Sequence, residues 1–171
     1  MACVTLEEIA KDCERNSGGL HEVLFGDMDS ITAITEASAT FSVTAMTVSE
    51  APIDLNIKRK TSNYTDEEAQ DFTNGSTTAT QTINLMLHRR DATKSRALNI
   101  LGAGQRYLYA IVKDANGIYW YIPNCQRQNV GEGSGTERAD GSKYSVVFIA
   151  ENDSLAYTIS SAIVATLKAV S

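Results

Sequence analysis

The sequence predicts an α+β fold that is mainly β: a two-sheet β-sandwich or partly open barrel with one flanking helix and a long projecting hairpin arm. Three observations predict it. Short alternating apolar and polar segments recur along the chain, an aromatic hairpin lies in the second half, and one capped helical segment precedes that hairpin. The 171 residues suffice for one domain with its own core. We assign residues 20–171 to this domain and residues 1–19 to an N-terminal arm or short helix.

The most strongly patterned segment spans residues 106–128. Asn116-Gly117 separates two runs rich in aromatic and β-branched residues, and this dipeptide is typical of tight hairpin turns. Both faces carry large side chains, so we expect a core hairpin that is covered on both sides. Its key residues are Tyr107, Tyr109, Asn116, Gly117 and Trp120. An aromatic platform for nucleic-acid bases is the alternative, which is disfavoured because no basic residues interleave the aromatic ones.

Several segments before this hairpin have strand-like or helical patterns. Residues 20–25, 41–49 and 53–57 alternate as strands do, and the capping-box pattern of residues 4–13 predicts a short helix. In the second strand, alternation places Phe41, Val43, Ala45 and Thr47 opposite Ser42, Thr44, Met46 and Val48. The Ser, Thr and Ala content of residues 29–39 indicates a connection.

A long polar stretch follows residue 57 and is too polar for an ordinary core connection. We interpret it as a long hairpin whose tip projects from the sheet, with Lys58 and Thr80 on its two arms; a mobile surface loop is the alternative. The arm residues are Lys58, Arg59, Lys60, Tyr64, Asp66, Glu67, Glu68, Asp71 and Phe72. Beyond the tip, alternation places Ala79, Ile83, Leu85 and Leu87 opposite Thr80, Thr82, Asn84, Met86 and His88.

The second half of the chain contains the flanking helix and the last predicted strands. Asp91 opens the helix, and Gly102 and Gly104 end it. A Gly-rich loop and an Asp-Gly turn precede a predicted strand over residues 143–151. The apolar, β-branched composition of residues 157–167 predicts one more strand.

Composition excludes several classes of function. The net charge of −6 disfavours a surface that grips DNA or an anionic membrane. No apolar run reaches the roughly 20 residues that span a bilayer, and charged residues occur too early for a secretory signal peptide. We therefore expect a soluble protein made in a cytoplasm. Cys3, Cys13 and Cys125 are expected to be reduced thiols, with a disulfide between the first two as the alternative.

No recognisable catalytic or cofactor motif occurs in the sequence. His21 and His88 lie in no nucleophile or metal motif, and the glycines of residues 131–135 lack the lysine of a phosphate-binding loop. We therefore expect no enzyme, no cofactor and no metal site. A structural or binding module remains.

Two short patterns carry a family resemblance. The hairpin around KDANGIYW and the closing pattern GSGTERADGSKYSVVFIAEN resemble the C-terminal half of tail tube proteins of tailed bacteriophages, which are related in fold to the tubes of contractile injection systems. Residues 114–120 and 133–151 carry this resemblance. In layout the resemblance covers roughly residues 20–165. It implies six copies that close a ring through their sheets, and rings that stack through arms and termini.

The resemblance also implies a location and partners. The protein would be made in the host bacterial cytoplasm and reside in the virion tail, with other copies, tail proteins and connector proteins as partners. Double-stranded DNA would pass through the lumen without specific binding. The candidate lumen-facing residues, which are polar but not basic, are Ser42, Thr44, Thr80, Thr82 and Asn84. The alternative is another virion β-sandwich, such as a capsid decoration or head-to-tail completion protein; an enzyme comes third.

Overall fold

The computed structural model describes residues 16–58, 60–137 and 140–170, together with residues 9, 13 and 14. This part of the chain is mainly β, which confirms the predicted class, and contains two helices. The strands are β1 (Leu20–Asp27), β2 (Ile31–Ala37), β3 (Ser42–Val48), β4 (Ile53–Asp54), β5 (Asn63–Asp71), β6 (Ser76–His88), β7 (Leu108–Asp114), β8 (Tyr119–Gly133), β9 (Lys143–Asn152) and β10 (Tyr157–Ile159). The helices are α1 (Ala92–Leu101) and α2 (Ser161–Lys168).

The ten strands form one sheet that curls into an open half-barrel. A first branch has the order β2-β3-β10-β8-β7-β1-β4, and a second branch runs from β8 through β9 and β6 to β5. Strand β8 belongs to both, because residues 119–125 pair with β7 and β10 and residues 126–133 pair with β9. The changeover lies beside a bulge at Pro123 and Asn124, where Asn124 has a φ of +57°.

One core lies between the two branches. Phe25 of β1 and Phe148 of β9 are fully buried, and their ring centroids are 4.2 Å apart. Leu98 and Leu101 of α1 close this core from one side. Helix α1 begins and ends as predicted: the Asp91 side chain accepts a hydrogen bond from the amide of Lys94 at 2.7 Å, and the helix stops at Gly102.

A second core covers the opposite face of the first branch. Tyr109 and Tyr121 of the aromatic hairpin pack there with Val164 and Leu167 of α2. Leu108, Ala110 and Val112 face the first core instead. The prediction of a hairpin with both faces covered is therefore confirmed, although Tyr107 precedes β7 and remains 56% exposed.

Two assignments from the sequence are wrong because local composition did not reveal the structure. Residues 29–39, predicted as a connection, contain β2, which pairs along β3. Residues 157–167, predicted as one strand, form β10 and then α2. The Ser160 hydroxyl accepts a hydrogen bond from the amide of Ile163 at 3.3 Å and so starts a second helix. The described residues thus contain a second helix in addition to the predicted flanking one.

The two preceding strands also differ from prediction. Val43, Met46 and Val48 share the second core, because a register shift in β3 between Val43 and Ala45 breaks the expected strict alternation. The strand predicted over residues 53–57 ends at Asp54, and Asn56 has a φ of +40°. Leu55 and Ile57 nevertheless pack against the first core.

Candidate assembly surfaces

The polar stretch forms a real antiparallel hairpin whose end extends beyond the sheet. Strands β5 and β6 pair from Asn63–Asn84 to Asp71–Ser76, whereas β9 follows β6 only as far as Ala79. Residues 69–71 and 76–78 therefore make a two-stranded ribbon, about 10 Å long at 3.4 Å per residue. Here "the ribbon" means residues 69–78. Thr80 lies on one arm, where it pairs with Glu67, but the placement of Lys58 on the other arm is wrong, since Lys58 lies before β5.

The tip of the ribbon is an ordered turn that exposes an aromatic ring. The Asp71 carboxylate accepts hydrogen bonds from the amide of Thr73 at 2.8 Å and from the side-chain amide of Asn74 at 2.8 Å. These bonds, led by the one from the Thr73 amide, lower the pKa of Asp71. Gly75 closes the turn with a φ of +67°. Phe72, which directly follows Asp71 in this turn, is 93% exposed.

The base of the hairpin is fixed by a network centred on Asp66. Its carboxylate accepts hydrogen bonds from the Tyr64 hydroxyl at 2.7 Å, from Gln81 Nε2 at 2.9 Å and from the amide of Ala156 at 2.8 Å. Burial, followed by the bond to Asp66, raises the pKa of Tyr64. Tyr64 and Asp66 thus face the interior, whereas Glu67, Glu68, Asp71 and Phe72 are exposed.

Sequence reasoning missed Gln81, the most buried member of this network. Only 1% of its surface is exposed, and its Oε1 accepts a hydrogen bond from Asn152 Nδ2 at 2.8 Å. Its place between Ala79 and Ile83, on the apolar face of β6, was the available signal. A buried polar side chain needs partners, and the network supplies them.

Charge is separated along this part of the chain. No Lys or Arg occurs between residues 61 and 87. At the opposite end of β6, Lys58 and Lys60 are exposed, and Arg89 and Arg90 follow the strand. Arg59 lies outside the described residues. The hairpin is consequently acidic at its tip and basic beyond its base.

The outer face of β6 is polar and contains no base between Thr80 and Met86. Directly paired residues share a face, so the candidates Thr80, Thr82 and Asn84 lie beside residues of β5 and β9. These neighbours are Glu67, Thr65 and Asn63 on β5, and Glu151, Ile149 and Val147 on β9. Thr80 therefore has an acid on each side. The other two candidates, Ser42 and Thr44, lie on β3 in the first branch and do not join this surface.

Three strands of the described chain end the sheet without a further neighbour: β2, β4 and β5. Strand β2 has seven residues with Glu36 as its single charge, and β5 has nine residues. Strand β4 has only two. Long unpaired edges are templates for pairing with another chain.

Two grooves lie one after the other along α1. The first, about 390 Å³, has an apolar floor that includes Leu55, Leu87 and Leu98 and has Lys58 and Lys94 in its lining. The second, about 400 Å³, lies toward the C-terminal end of α1 beside Ile53 and Ile100, and Ala97 lines both grooves. We call them the basic groove and the Ile100 groove.

The turn of the aromatic hairpin also holds the segment that leads into β1. Asn116 Nδ2 donates to Asn16 Oδ1 at 3.1 Å, and the amide of Ser17 donates to Asn116 Oδ1 at 2.7 Å. Gly117 has a φ of +92°. The predicted helix at residues 4–13 falls mostly outside the described residues, as do Cys3 and its alternative disulfide.

Within the described residues, no cluster of three or more His, Cys, Asp or Glu could hold a metal ion. None of the helices described is long and apolar enough to cross a membrane. Cys125 is buried, and burial raises the pKa of its thiol.

No protein-family model matches this chain, and no curated protein matches its sequence. Function therefore has to follow from the geometry and charge of these surfaces.

Proposed function

We propose that this chain is a structural virion protein that assembles into stacked rings, six copies to a ring, and forms a tail tube through which DNA passes. The observation that carries the proposal is the pair of long unpaired edges, β2 and β5, which end the two branches of one curled sheet. The edge of β2 in one copy would pair with the edge of β5 in the next. Two different edges make a heterologous contact, and such contacts form a ring when the rotation from copy to copy closes.

The polar face around Thr82 suits the lining of a DNA conduit. Its row of Glu67, Thr80 and Glu151 presents two acids and no base, and each copy carries a net charge of −6. A wall of negative charge gives DNA no favourable phosphate contacts, so the genome slides without binding. In a closed ring, this face of each copy would contribute to the lumen, and the ribbon would reach the neighbouring ring.

Assembly is the direct test of this proposal. Light scattering over a concentration series up to the high micromolar range should give masses far above the 18.5 kDa of one chain. Negative-stain images should show rings and hollow tubes. A mass that stays at 18.5 kDa throughout contradicts the proposal. Closed rings that never stack would favour a capsid decoration or completion protein instead.

The conduit role has a separate test. Assembled protein should show no measurable DNA affinity at about 150 mM salt, where exposed charges are screened beyond roughly 8 Å. Thr82→Lys should create binding that weakens steeply as salt rises. Asn99→Lys on the exposed side of α1 adds the same charge outside the proposed lumen and serves as the control. Salt-sensitive DNA binding by the unmodified tube would indicate a packaging role.

A further inference from the structure

The exposed ring of Phe72 is the clearest unpartnered feature of the described surface. It projects from an ordered turn at the end of the ribbon, where no third strand covers the hairpin. A large aromatic side chain that is 93% exposed on an ordered support is typical of an interface anchor. Three exposed acids, Glu67, Glu68 and Asp71, accompany it.

The basic groove has the complementary chemistry. Its apolar floor includes Leu55, Leu87, Ala97 and Leu98. Its volume of about 390 Å³ exceeds the roughly 150 Å³ that holds a benzene ring in a protein cavity. A phenyl ring would therefore fit with room for part of the turn.

The charges around this groove favour binding of an acidic segment. Lys58 and Lys94 line it, and Arg89 follows the end of β6. The acids facing it are Asp54 and Asp91. Asp91 already pairs with Lys94 at 3.2 Å, and Asp54 accepts a hydrogen bond from the amide of Asn56 at 2.8 Å. Lys94 is therefore occupied, and Lys58 and Arg89 are the basic groups that this groove offers to the acids of the tip.

The Ile100 groove is the competing receptor, but its charges fit less well. Asp27 and Glu50 line it, and its one basic residue, Arg106, is already paired with Asp27 at 3.0 Å. An acidic tip would meet a surface that repels it. Charge therefore selects the basic groove.

The tip and the groove of one copy cannot meet each other. They lie at opposite ends of β6, whose 13 residues span about 40 Å. Contact must therefore join two copies head to tail, which leaves a free tip at one end and a free groove at the other. A contact of this kind repeats along an axis.

We propose that the Phe72 tip of one copy inserts into the basic groove of a copy in the next ring, and that this contact is the one that stacks the rings. The inference rests on the proposed tube and names the receptor that its arm would use. Glu68 and Asp71 would lie against Lys58 and the basic residues beside it.

Two complementary variants test the contact. Phe72→Asp disables the tip and leaves the groove intact, whereas Lys58→Glu combined with Thr93→Glu disables the groove and leaves the tip intact. Thr93 lies in the first turn of α1, where an added acid favours the helix. Ile100→Glu, two turns further along α1 in the Ile100 groove, is the matched control. Circular dichroism and urea unfolding establish that each variant is folded.

Each disabled variant alone should stop at single rings, while Ile100→Glu should form tubes as the wild type does. Rings of the two disabled variants, assembled separately and then mixed in equal amounts, should form pairs of rings and nothing longer, because each mixed pair has one working contact. The milder Phe72→Ala should raise the critical concentration for elongation by about tenfold or more, since burial of a phenyl ring contributes at least that much to binding.

The possible failures are distinguishable. Wild-type protein that never exceeds one chain in mass contradicts the tube itself and, with it, this contact. Wild-type tubes together with Phe72→Asp tubes contradict the contact alone. A mixture that yields no paired rings, although each variant forms single rings, also overturns the contact, because head-to-tail docking requires this complementation.

Discussion

The two hairpins β5–β6 and β7–β8 have similar turns but lie in opposite environments. Each turn begins at an Asp whose side chain accepts a hydrogen bond from the backbone amide two residues later. Thr73 is the donor to Asp71, and Asn116 is the donor to Asp114. Each turn ends in Asn-Gly with a positive φ at the glycine. Yet the strands of one turn are buried on both faces, whereas the other turn stands in solvent.

The difference shows that the turn residues determine where each hairpin forms, whereas the side chains of the flanking strands determine whether it is buried or exposed. Tyr109, Ile111 and Tyr121 remove large apolar surfaces from water, and this fixes β7–β8 inside the fold. The ribbon has Gln, Ser, Thr and a single acid, Asp71, around its turn and gains nothing from burial. Its Phe72 is the exception, and no element of the described chain covers it.

The largest expected effect is on the free energy of unfolding, when one aromatic residue from each hairpin is replaced by alanine. Tyr121→Ala should lower the free energy of unfolding by about 3–5 kcal/mol, because Tyr121 is 1% exposed in the second core. Phe72→Ala should change it by less than about 0.5 kcal/mol. Urea unfolding of the two variants under conditions that keep the protein unassembled measures both. Similar losses in both variants would mean that the tip is packed in the monomer.

A second, smaller effect probes how tightly the buried hairpin is packed. A Cβ on Gly26 of β1 would lie 2.2 Å from the Tyr109 ring, which is fully buried. Gly26→Ala should therefore cost about 1–3 kcal/mol. Gly131→Ala in β8 is the matched control, because its Cβ would meet Ser145 at an ordinary 3.8 Å. Equal stabilities for these two variants would contradict the packing described between β1 and β7.

This contrast also explains how much the sequence could predict. The faces of β6, β7 and β9 followed from alternation, because burial on a sheet has a period of two residues. Strand β5 carried no such signal, since its residues are polar and its inward-facing Tyr64 and Asp66 serve a network built with Gln81 and Ala156. Those partners are far apart in sequence, so only the fold brings them together.

Helix α2 escaped prediction for a different reason. Its residues are β-branched enough to favour a strand, but Val164 and Leu167 lie three positions apart and pack onto Tyr121 and its neighbours. Tertiary packing and the Ser160 cap outweigh that intrinsic preference. The basic groove could likewise not be predicted from the sequence, because it exists only where α1 crosses residues from β4 and β6.

A third test measures how much the Asp114 side chain, at the turn of the buried hairpin, contributes to stability. Asp114 accepts hydrogen bonds from the amides of Asn116 and Ile118, each at 2.9 Å, and from Trp120 Nε1 at 3.2 Å. Asp114→Ala leaves these donors without their partner and should cost about 1–2 kcal/mol in urea unfolding. Asp114→Asn, which can still accept, should recover part of the loss. No loss in the Ala variant would show that water replaces the carboxylate.

The smallest effect is confined to the exposed turn and depends on pH. Hydrogen bonds from the Thr73 amide and then from Asn74 lower the folded pKa of Asp71 below its ordinary value of about 3.9. A lowered folded pKa means that the stabilisation is fully present above the unfolded pKa and is lost as the pH falls through the folded one. Hydrogen exchange at Thr73 should therefore become less protected only in that acidic window. Asp71→Asn should remove the pH dependence and leave the buried hairpin unchanged. An Asp71 carboxyl that titrates at its ordinary value by NMR would mean that the tip is not ordered in solution, and an ordered tip is what the docking of Phe72 requires.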